Sequence, residues 1–200
     1  MNIFLIRHGE KEFDGGNIMG MKLTDKGHRQ ADLAGKRLKD FHIDIIFSST
    51  MTRARQTADE VNKYINVPVE YRDELREIDM GEYDKNSWEY VKEKYPEFAR
   101  AYKNYETDIP YPNGECGEDV WNRSKKVLNE ITNSKFENIA VVTHGGTISC
   151  IICGILDLPQ AKRFSFGSPV EHCGITHIKY TGNRYNIHTF NDYFYLGKEV

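Results

Sequence analysis

Residues 2–10 read Asn-Ile-Phe-Leu-Ile-Arg-His-Gly-Glu, and the fold follows from how that stretch is punctuated. The run from Asn2 to Ile6 is too short for a helix and rich enough in Ile and Phe for a buried strand. It ends abruptly on Arg7, His8 and Gly9. The same punctuation recurs twice. Asp44-Ile-Ile-Phe-Ser-Ser49 is a second apolar run, followed within four residues by Arg53. Asn138-Ile-Ala-Val-Val-Thr143 is a third, followed at once by His144, Gly145 and Gly146.

Helical patterns separate these runs. Thr24 reads as an N-cap, with Ala31, Leu33, Ala34 and Leu38 at helical spacing up to about Asp40. Ser and Thr at 48–52 offer capping oxygens for a helix over 52–64. A short strand over 67–71 carries Pro68, which places it at an edge or at its own first residues. Residues 118–132 form an amphipathic helix. Residues 147–156 are apolar nearly all round and predict a buried one. The strands predicted over 175–180 and 185–190 flank Gly182-Asn183 and read as a hairpin. Strands alternating with helices predict a three-layer α/β fold, a mostly parallel sheet with helices on both faces. In such sheets ligands bind at the carboxyl ends of the strands. Arg7, His8, Arg53 and His144 all fall there.

The residue types suit an anion. Arg offers a planar fork that matches phosphate oxygens. A neutral His near pH 7 is a competent nucleophile. Arg53 falls in the first turn of its helix, where unsatisfied N–H groups favour negative charge. Arg55, about 200° round the helix, points elsewhere and reads as a surface charge. Globally the chain carries no basic excess: 27 Lys and Arg stand against 30 Asp and Glu among 200 residues, a formal charge of -3. That argues against a nucleic-acid or membrane-surface binder. Hydrophobic residues at 39% exclude a disordered chain, and no run is long enough to span a bilayer. The four cysteines are expected to be reduced, in a cytoplasmic protein. Cys150-x-x-Cys153 with His172-Cys173 has the residue types of a zinc site, but its apolar context favours packing. No metal or cofactor is expected.

In order along the chain stand R-H-G-E at 7–10, L-T-x-x-G-x-x-Q-A at 23–31 and S-S-x-x-x-R-A-x-Q-T-A at 48–58. L-R-E-I-x-x-G-E at 75–82, Y-P-E at 95–97, P-N-G-E at 112–115, T-H-G-G-T-I at 143–148 and N-D at 191–192 complete the set. This series resembles the histidine phosphatase superfamily, also called phosphoglycerate mutase-like. The resemblance implies a single domain over 1–200 with a helical lid at about 83–117. It implies a phosphohistidine formed on His8. Arg7, Arg53, His144 and Gly145 would surround the phosphoryl group, and Glu77 would be the acid that protonates the leaving oxygen. The implied activity is a metal-independent phosphomonoesterase acting on a small phosphorylated metabolite. Alternatives are mutase-type transfer, alpha-ribazole phosphate as the specific substrate, or a non-catalytic phosphate-binding module. Monomer and dimer remain equally open.

Departures from the pattern occur. Asp14 stands where many members have a phosphate-holding Asn, and Asn17 is the candidate to replace it. Tyr83-Asp84-Lys85 replaces a common W-E-G, and Ser149 replaces a frequent Arg. Eight aromatics fall between Tyr83 and Tyr111. They either pack the lid helices onto the sheet or wall the pocket, and Lys92 and Arg100 on the same stretch offer charge to an acidic substrate.

Overall fold

The computed structural model describes residues 1–12, 19–104, 107–166 and 170–199. Asp14 and Asn17, singled out above, and Tyr105, one of the eight aromatics, lie outside the described residues. The elements are β1 (Asn2–Arg7), α1 (Asp25–Leu38), β2 (Ile45–Ser49), α2 (Thr52–Ile65), β3 (Val69–Arg72), α3 (Glu82–Lys85), α4 (Trp88–Lys94) and α5 (Pro96–Asn104). They continue as α6 (Gly117–Thr132), β4 (Asn138–Thr143), α7 (Gly145–Ile155), β5 (Ile175–Thr181) and β6 (Arg184–Asp192). The six strands form one sheet ordered β3-β2-β4-β1-β5-β6. The pairs β3/β2, β2/β4 and β4/β1 are parallel, and the terminal hairpin adds β5 and β6 antiparallel. β3 is the edge strand, as Pro68 requires.

Alternation along each buried strand divides the core in two. Phe4, Ile6, Ile46, Ala140 and Val142 face α1 and α2, meeting Ala31, Ala34, Ala58 and Val61. Their neighbours Ile3, Leu5, Phe47, Ile139 and Val141 face the other way, onto Leu128 and Ile131 of α6 and Ile148 and Ile152 of α7. Burying each Val, Leu, Ile or Phe side chain among them contributes about 1.5–3 kcal/mol, which fixes the register of the central strands. Cys150 and Cys173 fall into separate apolar clusters, so the zinc constellation does not assemble.

Two local expectations need correction. Thr24 caps α1, accepting from the Gly27 amide. However, α2 has no side-chain cap, because its N-cap position falls on Met51, which carries no capping oxygen, while the neighbouring Thr50 hydroxyl donates to Asp73 at 2.9 Å. The helix that was to run to Asp40 ends at Leu38 and tightens into a 3₁₀ turn over Lys39–Phe41. Gly182 and Asn183 both adopt positive φ, as a two-residue hairpin turn demands. No helix among the described residues is long and apolar enough to cross a membrane.

Candidate active site

β4 lies between β1 and β2, and the register brings their ends level. Arg7 pairs with Thr143, and Ser48 with Val142. The next residues along are therefore neighbours. The His8 amide donates to the Thr143 carbonyl at 2.9 Å. The His8 and His144 rings stand edge-on with centroids 5.1 Å apart, and His144 Nε2 lies 2.9 Å from Ser49 Oγ.

His8 is held in one tautomer. Its Nδ1 lies 2.7 Å from the Gly9 carbonyl, which can only accept, so the ring proton sits on Nδ1. Nε2 keeps its lone pair and accepts from Arg53 Nε at 3.1 Å. The turn carrying the ring is anchored by the quoted motifs. The Gly9 amide donates to Thr57 Oγ1 at 3.0 Å and the Glu10 amide to Gln30 Oε1 at 2.8 Å. A Cβ on Gly9 would lie 2.4 Å from the Gly27 carbonyl oxygen, so only glycine permits this approach to α1. Burial, followed by the charges of His144, Arg53 and Arg7, holds the His8 pKa well below the ordinary value, and the ring is neutral at pH 7.

Arg7, Arg53 and His144 converge on the same place. Arg53 is 2% exposed and sits at the start of α2, and burial lowers its pKa and that of Arg7. Arg7 Nη1 donates to the Val170 carbonyl. Arg7 Nε and His144 Nδ1 are buried and have no partner among the described residues. These two buried nitrogens lie beside the neutral nucleophile, where they can meet the oxygens of an anion. Gly145 packs on Arg7: a Cβ there would lie 3.4 Å from Nε. Arg55 is on the outer face of α2, stacked on the Tyr71 ring at 4.4 Å.

Glu77 reaches the site from the loop after β3. Its carboxylate accepts from the amides of Ile78 and Thr147 at 3.0 Å each and of Gly146 at 3.3 Å. Of the carboxylates close to it in sequence, Asp79 accepts from the Gly81 amide and Glu82 from the Asn86 side chain. The N-terminus of α7 surrounds Glu77 instead.

Sequence reasoning missed the residue that fixes this loop. Arg123 on α6 donates to the Glu74 carbonyl at 2.6 Å, the Glu77 carbonyl at 3.1 Å, and in bidentate fashion to Glu115 at 2.8 and 3.0 Å. The available signal was an Arg at helical spacing between Val120 and Val127, on the apolar face of that helix. His172 was also missed as a neighbour of the site: its ring centroid lies 5.7 Å from that of His8. Asn191 of the N-D pair holds that loop through the Glu171 amide at 3.0 Å.

A cavity of ≈ 260 Å³ opens beside Arg7 and Glu77, over the first two turns of α7. The lid contributes Tyr102 and Tyr111 to its wall. Tyr83, Trp88 and Phe98 pack against those two rings, with centroids 5.4 to 5.9 Å apart. The aromatics therefore divide between the two roles considered for them.

The profile of the histidine phosphatase superfamily (branch 1) matches residues 3–193. The chain belongs to that superfamily. Phosphoserine phosphatase 1 of Hydrogenobacter thermophilus is 30% identical over 184 residues, covering 90% of this chain and 87% of the relative. A probable phosphoglycerate mutase of Citrobacter koseri is 28% identical, covering 90% and 85%. Among solved structures, a mycobacterial glucosyl-3-phosphoglycerate phosphatase bound to inorganic phosphate superposes with a TM-score of 0.84 at 23% identity, covering 97% and 98%. The alpha-ribazole phosphatase of Shigella flexneri gives 0.80 at 24%, covering 96% of each chain. Those two likenesses establish the phosphoglycerate mutase-like fold. Membership of the superfamily makes this chain a phosphoric monoester hydrolase of the histidine phosphatase type.

Proposed function

We propose that this histidine phosphatase hydrolyses its ester in two steps through a phosphohistidine on His8. The Nε2 lone pair attacks phosphorus, a P–N bond forms and the ester P–O bond breaks. Glu77 supplies the proton to the leaving alcohol oxygen. In the second step Glu77 takes a proton from water, the water oxygen bonds phosphorus, and the P–N bond breaks to release inorganic phosphate. Arg7, Arg53 and His144 stabilise the transferring oxygens, which is most of what phosphoryl transfer asks of a protein. The Ser49 hydroxyl already accepts from the Met51 amide at 3.3 Å. Donating its own proton to His144 Nε2 leaves the ring proton on Nδ1, the unpartnered atom. The whole chain acts as one catalytic domain, its lid contributing Tyr102 and Tyr111 to the cavity wall. The free thiols Cys116, Cys150, Cys153 and Cys173 fit a cytoplasmic setting.

The observation that carries the reading is the His8 ring, neutral and with Nδ1 committed to Gly9. Rapid quench with a radiolabelled phosphomonoester, in excess chelator, tests it. An acid-labile, base-stable adduct that His8→Ala abolishes is expected, with inorganic phosphate as the product. Turnover that requires added metal, an adduct surviving in His8→Ala, or isomerised ester in place of phosphate would overturn it.

A further inference from the structure

We infer that Arg163 selects the substrate, binding a carboxylate carried a few bonds from the phosphoryl group. The inference rests on the catalytic reading above and adds a second anion subsite to it.

Arg163 lies in the 3₁₀ segment Gln160–Ser165, outside every motif quoted above, yet it lines the same cavity as Arg7 and Glu77. The residue is 6% exposed and fixed on one side only. Nη1 donates to Asp108 Oδ1 at 2.5 Å and to the Gln160 carbonyl at 2.8 Å. Nε and Nη2 have no hydrogen-bond partner among the described residues. The guanidinium stacks on the Phe164 ring at 4.4 Å, which sets the plane of the fork.

Its height in the cavity follows from α7. The first turn, Gly145 and Gly146, touches Arg7 and Glu77. Gln160 Nε2 donates to the Cys150 carbonyl at 3.1 Å, and the Gln160 carbonyl in turn accepts from Arg163. Arg163 is therefore level with the next turn, beside Ser149, whose short side chain leaves the space open. Four helical residues at about 1.5 Å each displace this end from the phosphoryl end by ~6 Å. The cavity wall thus carries two guanidiniums, those of Arg7 and Arg163, together with Met80, Tyr102 and Val170. At ≈ 260 Å³ it is smaller than the ~300–1,000 Å³ typical of drug-sized ligands. A short phosphorylated hydroxy or amino acid fits that charge pattern. An uncharged aryl ester leaves the spare donors of Arg163 unanswered.

Matched ester pairs test this in the full chain: 3-phosphoglycerate against glycerol 3-phosphate, and phosphoserine against phosphoethanolamine. The carboxylate-bearing member should be favoured by roughly 10- to 100-fold in kcat/KM, the range for a hydrogen bond to a charged group. In Arg163→Gln that ratio should collapse toward one, mainly through KM. Arg163→Lys keeps a charge beside Asp108 and loses the spare fork, so its ratio should also fall. It serves if the Gln variant does not fold. No preference in the unmodified protein, or an equal loss for both members of a pair, would overturn the inference. If no ester is turned over, the catalytic reading fails separately. Calorimetric Kd ratios for the same pairs then decide on Arg163.

Discussion

Arg53 Nε donates to His8 Nε2 at 3.1 Å, so the guanidinium rests on the lone pair that the chemistry needs. The phosphoryl group must enter between them, and Arg53 then transfers its donors from nitrogen to phosphoryl oxygen. Arg53→Ala is therefore expected to slow phosphoenzyme formation in single turnover, by about 3–4 kcal/mol of transition-state stabilisation. Arg53→Lys should recover little, because a point charge does not replace the fork. Unchanged single-turnover rates in both variants would contradict this placement.

Stability should fall in mild acid. His8 and His144 have folded pKa values well below the ordinary value, chiefly from burial. His172 is likewise pushed down to about 3. The unfolded chain takes up these protons near pH 6.5 while the folded chain stays neutral. The stability they contribute is complete above about pH 6.5 and is lost as pH falls toward the depressed values. Each buried ring adds a slope of about 1.4 kcal/mol per pH unit below 6.5. Urea denaturation at pH 7.5, 6 and 5 should show that slope, and His8→Asn should reduce it by one proton.

Leaving-group dependence should expose Glu77. Glu77→Gln is expected to lower hydrolysis of alkyl phosphates by ~10²–10⁴, the usual worth of a general acid. Formation of the adduct from an aryl phosphate with an acidic phenol should suffer far less. Arg123→Lys, which loosens the loop carrying Glu77 without touching substrate, should show the same leaving-group pattern at smaller amplitude. A uniform loss across esters would assign Arg123 to stability alone.

Gly146→Ala should separate folding from catalysis. The added Cβ would lie 2.7 Å from Glu77 Oε1 and 3.2 Å from Ile78 Cγ2, both at the ends of side chains, so the carboxylate must leave its amides while the helix stays. Alanine is also the better helix former by about 1 kcal/mol. The expected outcome is an unchanged or higher melting temperature with kcat for an alkyl phosphate down roughly 10- to 100-fold, short of a fully lost acid. Retained kcat would show that Glu77 does not need the α7 amides.

Local chemistry made much of this protein legible in one dimension. Short Ile- and Val-rich runs, Thr24 before a helical pattern, and Gly182-Asn183 between alternating strands each carry their own structural preference. Parallel strands with a shared exit then place Arg7, His8, Arg53 and His144 together without any knowledge of packing. The N-cap of α2 was misread because the helix begins one residue after Met51, and the hydroxyls before it have other partners: Thr50 meets Asp73, and Ser49 also meets His144, 95 residues away.

The sequence by itself determined the α/β layering and which charged groups stand at the strand ends. Only the tertiary structure decided the tautomer of His8, the cage of α7 amides around Glu77, the Arg123 clamp and the entry of Arg163 into the cavity. Strand and helix patterns are periodic and local, so a single chain displays them. Hydrogen bonds such as Arg123 to the Glu74 carbonyl join residues 49 positions apart, and no local preference records which buried donor will meet which acceptor once the core closes.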